Sequence, residues 1–89
     1  MTVEISVQDT PNPDARRFVL DKPVQDEPRG RFFTDPADTD DALAKTLLEL
    51  DGVTGAMLLP TSITLNKAGD ASWEAIEPAA RAALEGYFA

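Results

Sequence analysis

The sequence predicts an α+β fold, a two-layer sandwich in which two helices cover one face of a mainly antiparallel sheet of about four strands. Three observations carry this. Two segments repeat apolar residues at helical spacing, four others read as short strands, and the strand pairs are joined by connections too short for parallel crossovers. One apolar stripe per helix and one apolar face per strand assemble most simply as two layers. The 89 residues are expected to form a single domain, 1–89.

The first strand is read in "TVEISV", where Val3, Ile5 and Val7 alternate with Thr2, Glu4 and Ser6. "DTPNPD" cannot extend it, because two prolines supply no ladder donors and hold Thr10 and Asn12 extended. Asn12 and Asp14 can bond their own backbone and close a turn. "RRFVL" then resumes an apolar stretch, Phe18 to Leu20, that pairs back on the first strand. "DKPVQDEPRG" is a polar, proline-broken loop leading into a short extended piece, "RFFT".

"DPADTDDALAKTLLELDG" is a helix. Asp38 or Thr39 can cap it, with Asp40 and Asp41 in the first turn where the helix dipole favours acids. Leu43, Leu47 and Leu50, widened by Ala44 and Leu48, form its apolar stripe, and Gly52 stands where a left-handed terminal residue is wanted. "VTGAMLLP" and "SITLNK" are two strands around a tight turn at Pro60, Thr61 and Ser62. In the second, Ile63 and Leu65 point one way and Thr64 and Asn66 the other. Ser72 caps a last helix carrying Trp73, Ile76, Ala80, Ala83, Leu84 and Tyr87. Pro78 requires that this helix kink or that its regular part begin later.

Composition excludes much chemistry. The chain has no cysteine and no histidine, so it offers no thiolate, imidazole or disulfide, and no Cys/His site for zinc, copper or an iron–sulfur cluster. "DPADTDD" has neither the glycine nor the distal glutamate of an EF-hand loop. No carboxylate pair stands out by spacing, and no glycine-rich loop cradles phosphate. Neither an enzyme nor a cofactor or metal is expected. The net charge of −8 argues against nucleic acid. Arg16, Arg17, Lys22, Arg29 and Arg31 could still form a local basic face. No apolar run is long enough to span a bilayer, and a cytoplasmic monomer is expected.

Trp73, Tyr87, Phe88, Phe32 and Phe33 read as core or edge-covering aromatics. Arg16 and Arg17 are strand neighbours and must point to opposite faces, so the one on the core side has to snorkel or find a carboxylate. A surface ion pair with Asp14 or Asp21 is the ordinary expectation for them. The candidate binding residues are Thr10, Asn12, Asp14, Arg16 and Arg17, through exposed amides of the proline loop and whichever arginine faces outward.

"QDTPNPDARRFVL" resembles the opening motif of the N-terminal domain of Nfu-type proteins, relatives of the NifU iron–sulfur scaffold, in which "QxTPNPN" is followed by "xxKF". The stretch from "LLELDGV" through "SITLNKAGDASWEAI" to "EGYF" is similar to the same domain, with its "GV", "ITVTK" and tryptophan helix in that order. Three departures stand out: Asp14 replaces the final Asn, Arg17 stands where Lys is usual, and "PTSITL" replaces an aromatic "DFITV" turn. The resemblance implies an α+β fold and a place in iron–sulfur cluster assembly. In the family the cluster is held by a separate C-terminal CxxC domain, so the chain is expected to be a stand-alone accessory domain that binds a protein partner in cluster maturation. The alternative is a binder of a small phosphorylated or carboxylated ligand, or peptide, at the "TPNPDARR" loop.

Overall fold

Strand-forming and helix-forming segments alternate along the chain in the order the periodicity requires. The computed structural model describes residues 3–24, 28–39 and 41–88. Strands β1 (Ile5–Asp9), β2 (Ala15–Leu20) and β3 (Arg31–Phe33) precede helix α1 (Ala42–Leu48). Strands β4 (Val53–Leu58) and β5 (Ser62–Lys67) and helix α2 (Trp73–Tyr87) follow. The sheet runs β1-β2-β5-β4-β3, with every neighbouring pair antiparallel. It has five strands rather than about four, because the "RFF" piece pairs with β4 and becomes an edge strand.

Register decides which side chains meet. Phe18, Ile63 and Leu58 lie opposite one another across β2, β5 and β4, and Arg16, Leu65 and Ala56 form the next row on the same face. The helices cover this face: Leu43, Ala44, Leu47 and Leu48 from α1 and Trp73, Ile76, Ala80 and Leu84 from α2 are all buried. Each large apolar side chain buried here contributes about 1.5–3 kcal/mol against exposure. Ile63 and Leu65 face this core, as the alternation in "SITLNK" requires.

Several local expectations are corrected. β1 begins at Ile5 and runs to Asp9, later than "TVEISV" suggested; Thr2 lies outside the described residues. Asp41, not Asp38 or Thr39, caps α1, its carboxylate accepting from the Leu43 and Ala44 amides at 3.0 Å each. The upstream acids belong to a separate 3₁₀ turn, Pro36–Asp38, capped by Asp35 through the Ala37 amide. Pro36 stands at the start of that turn, where a missing N–H costs nothing. Thr39 is extended behind it, so the two helical pieces cannot merge. Asp40 lies outside the described residues.

Pro78 sits inside α2, and the helix runs through it from Trp73 to Tyr87. Of the aromatics read as core or edge-covering, Trp73 is buried and Phe33 and Phe88 partly so, while Phe32 and Tyr87 are exposed. Phe32 points away from the helices, one position out of phase with Phe33. Among the described residues no helix is long and apolar enough to cross a membrane.

Candidate functional site

The "TPNP" turn connects β1 to β2 and is built almost entirely from its own residues. The Asn12 carboxamide oxygen accepts from the Asp14 amide at 2.9 Å, and the Ala15 amide donates to the Asn12 carbonyl at 3.0 Å. Thr10 Oγ1 sits 2.9 Å from the Asn12 carbonyl and 3.0 Å from that of Ala15, to which it donates, and it accepts from the Asn12 amide at 3.2 Å. With φ restricted at Pro11 and Pro13, little freedom remains in the backbone.

Two outside contacts hold the turn against the body of the domain. Asp14 pairs with Lys67 of β5 at 2.9 Å, and the Lys67 amide donates to the Asp14 carbonyl at 2.8 Å. On the other side, Trp73 Nε1, in the first turn of α2, donates to the Pro13 carbonyl at 3.0 Å. A buried indole N–H needs an acceptor, and here that acceptor is the loop.

Arg16 occupies the border between loop and helix. It lies on the helix-covered face opposite Asp9, pairs with Asp9 at 3.2 Å and with Glu77 at 2.9 Å, and stacks on the Trp73 ring with its guanidinium carbon 5.1 Å from the centroid. Glu77 stands four residues after Trp73 and therefore on the same side of α2. Arg16 Nε is shielded from water without a hydrogen-bond partner, the position a stacked guanidinium accepts when its terminal nitrogens are both engaged. Two carboxylates already meet its charge, which weighs against an anionic ligand at this point.

Two concavities meet at Arg16. One, of about 330 Å³, is lined by the turn from Asp9 to Pro13 with Ala15 and Arg16. The other, of about 480 Å³, is lined by Arg16, Ser72, Trp73, Glu74, Glu77 and Pro78. Pro11, Asn12 and Pro13 remain exposed at the rim.

Thr10, Asn12, Asp14 and Arg16 are thus brought together, the first three as parts of the turn and Arg16 as its tie to α2. Arg17 is not among them. It projects from the opposite sheet face, exposed and opposite Gln8 and Thr64, and makes no ion pair among the described residues. The ordinary expectation of a pair with Asp14 or Asp21 fails for both arginines, because Asp14 is taken by Lys67 and the Asp21 carboxylate accepts from the Glu4 amide at 2.9 Å. Nor do the basic residues form one face: Arg31, on β3 at the far edge of the sheet, pairs with the α1 cap Asp41 at 2.8 Å. Sequence reasoning missed Asp9, Lys67, Trp73 and Glu77. Of these, only Trp73 gave a signal, its need for an acceptor. Among the described residues no group of acidic side chains is placed to hold a metal ion.

The Trp73 contact yields an expected result. Trp73→Phe keeps the ring in the core but removes the tie to Pro13, and should cost about 1–2 kcal/mol in urea denaturation. Residues 10–14 should also gain fast backbone motion in ¹⁵N relaxation. An unchanged loop would contradict the role given to the indole N–H.

The family described as "Scaffold protein Nfu/NifU N terminal" matches residues 5–89. The human "NFU1 iron-sulfur cluster scaffold homolog, mitochondrial" is 33% identical over 86 residues, covering 96% of this chain and 34% of the relative. "NifU-like protein 4, mitochondrial" of Arabidopsis thaliana is 30% identical over 87 residues, covering 98% of this chain and 31% of the relative. The chain therefore spans about a third of the length of these relatives. The crystal structure of Staphylococcus aureus protein SAV1430 superposes with a TM-score of 0.83 at 26% identity, covering 96% of this chain and all of that one.

Proposed function

This chain belongs to the Nfu/NifU N-terminal family, and from that premise we propose that it is a non-enzymatic docking module of iron–sulfur cluster assembly, receiving a protein partner on the Asp9–Arg16 turn. The family and the human relative are named as scaffolds, and with no cysteine this chain has no thiolate with which to hold a cluster, so its contribution is recognition.

The observation that carries the reading is the turn, fastened on one side by Lys67 and on the other by Trp73, with its prolines left exposed beside an open concavity. A loop already held in one conformation loses little freedom on binding, which is how a small surface reaches useful affinity. Nothing in it performs chemistry. Its polar groups are spent on its own backbone and on the ties to Lys67, Arg16 and Trp73, and what it presents outward is shape: two proline rings, an asparagine and the rim of the Arg16 stack.

Pro11→Glu tests this, since Pro11 is exposed at the rim and its ring contributes no hydrogen bond to the turn. Tagged wild-type protein should enrich iron–sulfur assembly proteins from its native host, and Pro11→Glu should reduce that recovery at least tenfold. Equal recovery of the same proteins by both would overturn the proposal.

A further inference from the structure

Among the described residues no helix lies over the sheet face turned away from α1 and α2, and its composition departs from the rest of the molecule. One cross-strand row, Gln8–Arg17–Thr64–Met57–Phe32, crosses all five strands on this side. Met57 is 37% and Phe32 49% exposed, two of the three exposed large apolar side chains among the described residues. The strand positions on this face carry no carboxylate, although the chain holds 16 acidic residues. Their single charge is the unpaired Arg17.

Phe32 is held in a defined place. A Cβ at Gly55 would stand 2.8 Å from Phe32 Cζ and 3.2 Å from Cε1, so the ring lies on the sheet over a glycine that leaves room for it. An exposed aromatic seated in this way keeps a flat apolar surface turned to solvent, next to Met57, whose thioether adapts to many partners.

We propose that this face docks an acidic amphipathic helix of a partner protein, with apolar side chains over Met57 and Phe32 and a carboxylate on Arg17. Charge complementarity selects the occupant: at the described strand positions of this face the one charge is the positive Arg17, and the exposed acids Glu4 and Asp21 stand beyond the strand ends. A helix is the element that fits, because the backbone groups of the three inner strands are already paired, and an occupant of a sheet face must satisfy its own backbone bonds. Strands about 4.8 Å apart put Arg17 and Phe32 about 14 Å from each other. One helix of about 10 Å diameter over β5 and β4 covers Met57 and reaches both ends with side chains. The proposal rests on reading the domain as a docking module but uses a surface separate from the proline turn.

The test titrates the ¹⁵N-labelled protein with synthetic helical peptides of equal length: one with a leucine face and glutamates, one with the same face and lysines, and one with the glutamates but a scrambled apolar face. The first should move the amides of Arg17, Thr64, Met57 and Phe32 and bind at least tenfold tighter than the others. Arg17→Glu should reverse the preference between the glutamate and lysine peptides, and Met57→Ser should weaken the first at least tenfold. Equal binding of the glutamate and lysine peptides, or shifts confined to residues 10–16, overturns the proposal. So does concentration-dependent self-association in sedimentation velocity that Met57→Ser abolishes, which would make a second copy the occupant. If the peptides fail while Pro11→Glu still abolishes partner recovery, this surface is wrong and the proline turn stands; the reverse pattern removes the turn alone.

Discussion

Phe18→Ala is expected to lower the stability of the domain by about 3–5 kcal/mol. Phe18 is fully buried on the inner strand β2, opposite Val7 on one side and Ile63 on the other. Removing a ring from such a position costs about 3–5 kcal/mol, because the two flanking strands are hydrogen-bonded in register and cannot collapse into the space. A domain of this length has a total stability of about 4–13 kcal/mol, so the loss consumes much of it. Urea denaturation followed by circular dichroism measures the change. A loss below about 1 kcal/mol would show that the sheet repacks freely and that the register described here is not what holds the core.

Gly52→Ala is the second large effect, and its cause is backbone geometry. Gly52 has φ of +89°, and a Cβ there would stand 2.8 Å from Ala71 Cβ and 3.1 Å from Ile76 Cδ1. The positive φ alone costs an alanine about 1–2 kcal/mol. The clash adds about 1–3 kcal/mol, since Ala71 has no flexible end to move and Ile76 is packed in the core of α2. A total of about 2–5 kcal/mol is expected from thermal or urea unfolding. Gly69→Ala is the matched comparison, because nothing lies within 4 Å of the added methyl and φ is not positive. If the two substitutions behave alike, the tight approach of the α1–β4 connection to α2 is wrong.

What could be read from the sequence divides by distance along the chain. The alternation in "SITLNK", the stripe members Leu43, Ala44, Leu47 and Leu48, the Ser72 cap and the left-handed Gly52 are all local patterns that stand as expected, whereas Leu50 lies beyond the end of α1 and is only partly buried. The opposite orientations of Arg16 and Arg17 follow from the same period of two. Local rules failed where two local solutions competed: the run of aspartates offered several caps, and Asp35 and Asp41 each took a separate helical piece. "RFF" reads from sequence as a short extended piece, and pairing with β4 makes it the fifth strand.

The candidate site was legible only in its first half. The turn chemistry of Thr10, Asn12 and the prolines is contained between Thr10 and Ala15. Its ties are not: Trp73 meets Pro13 across 60 residues, Glu77 meets Arg16 across 61, and Lys67 meets Asp14 across 53. Such pairs exist only once β2 has aligned with β5 and α2 has packed on the sheet, and no spacing in a single sequence encodes them. The consequence for function is specific. Arg16 is the arginine on the core side and finds its carboxylates in Asp9 and Glu77, while Arg17 is the exposed charge and lies on the other face.

The central claim is that the Asp9–Arg16 turn receives the partner, and mapping a purified partner onto the labelled domain tests it most directly. An iron–sulfur assembly protein recovered with the wild-type chain, purified and added to the ¹⁵N-labelled domain, should shift the amides of Thr10, Asn12, Asp14, Ala15 and Arg16 and the Trp73 indole N–H. Saturating partner that leaves those signals in place would contradict it.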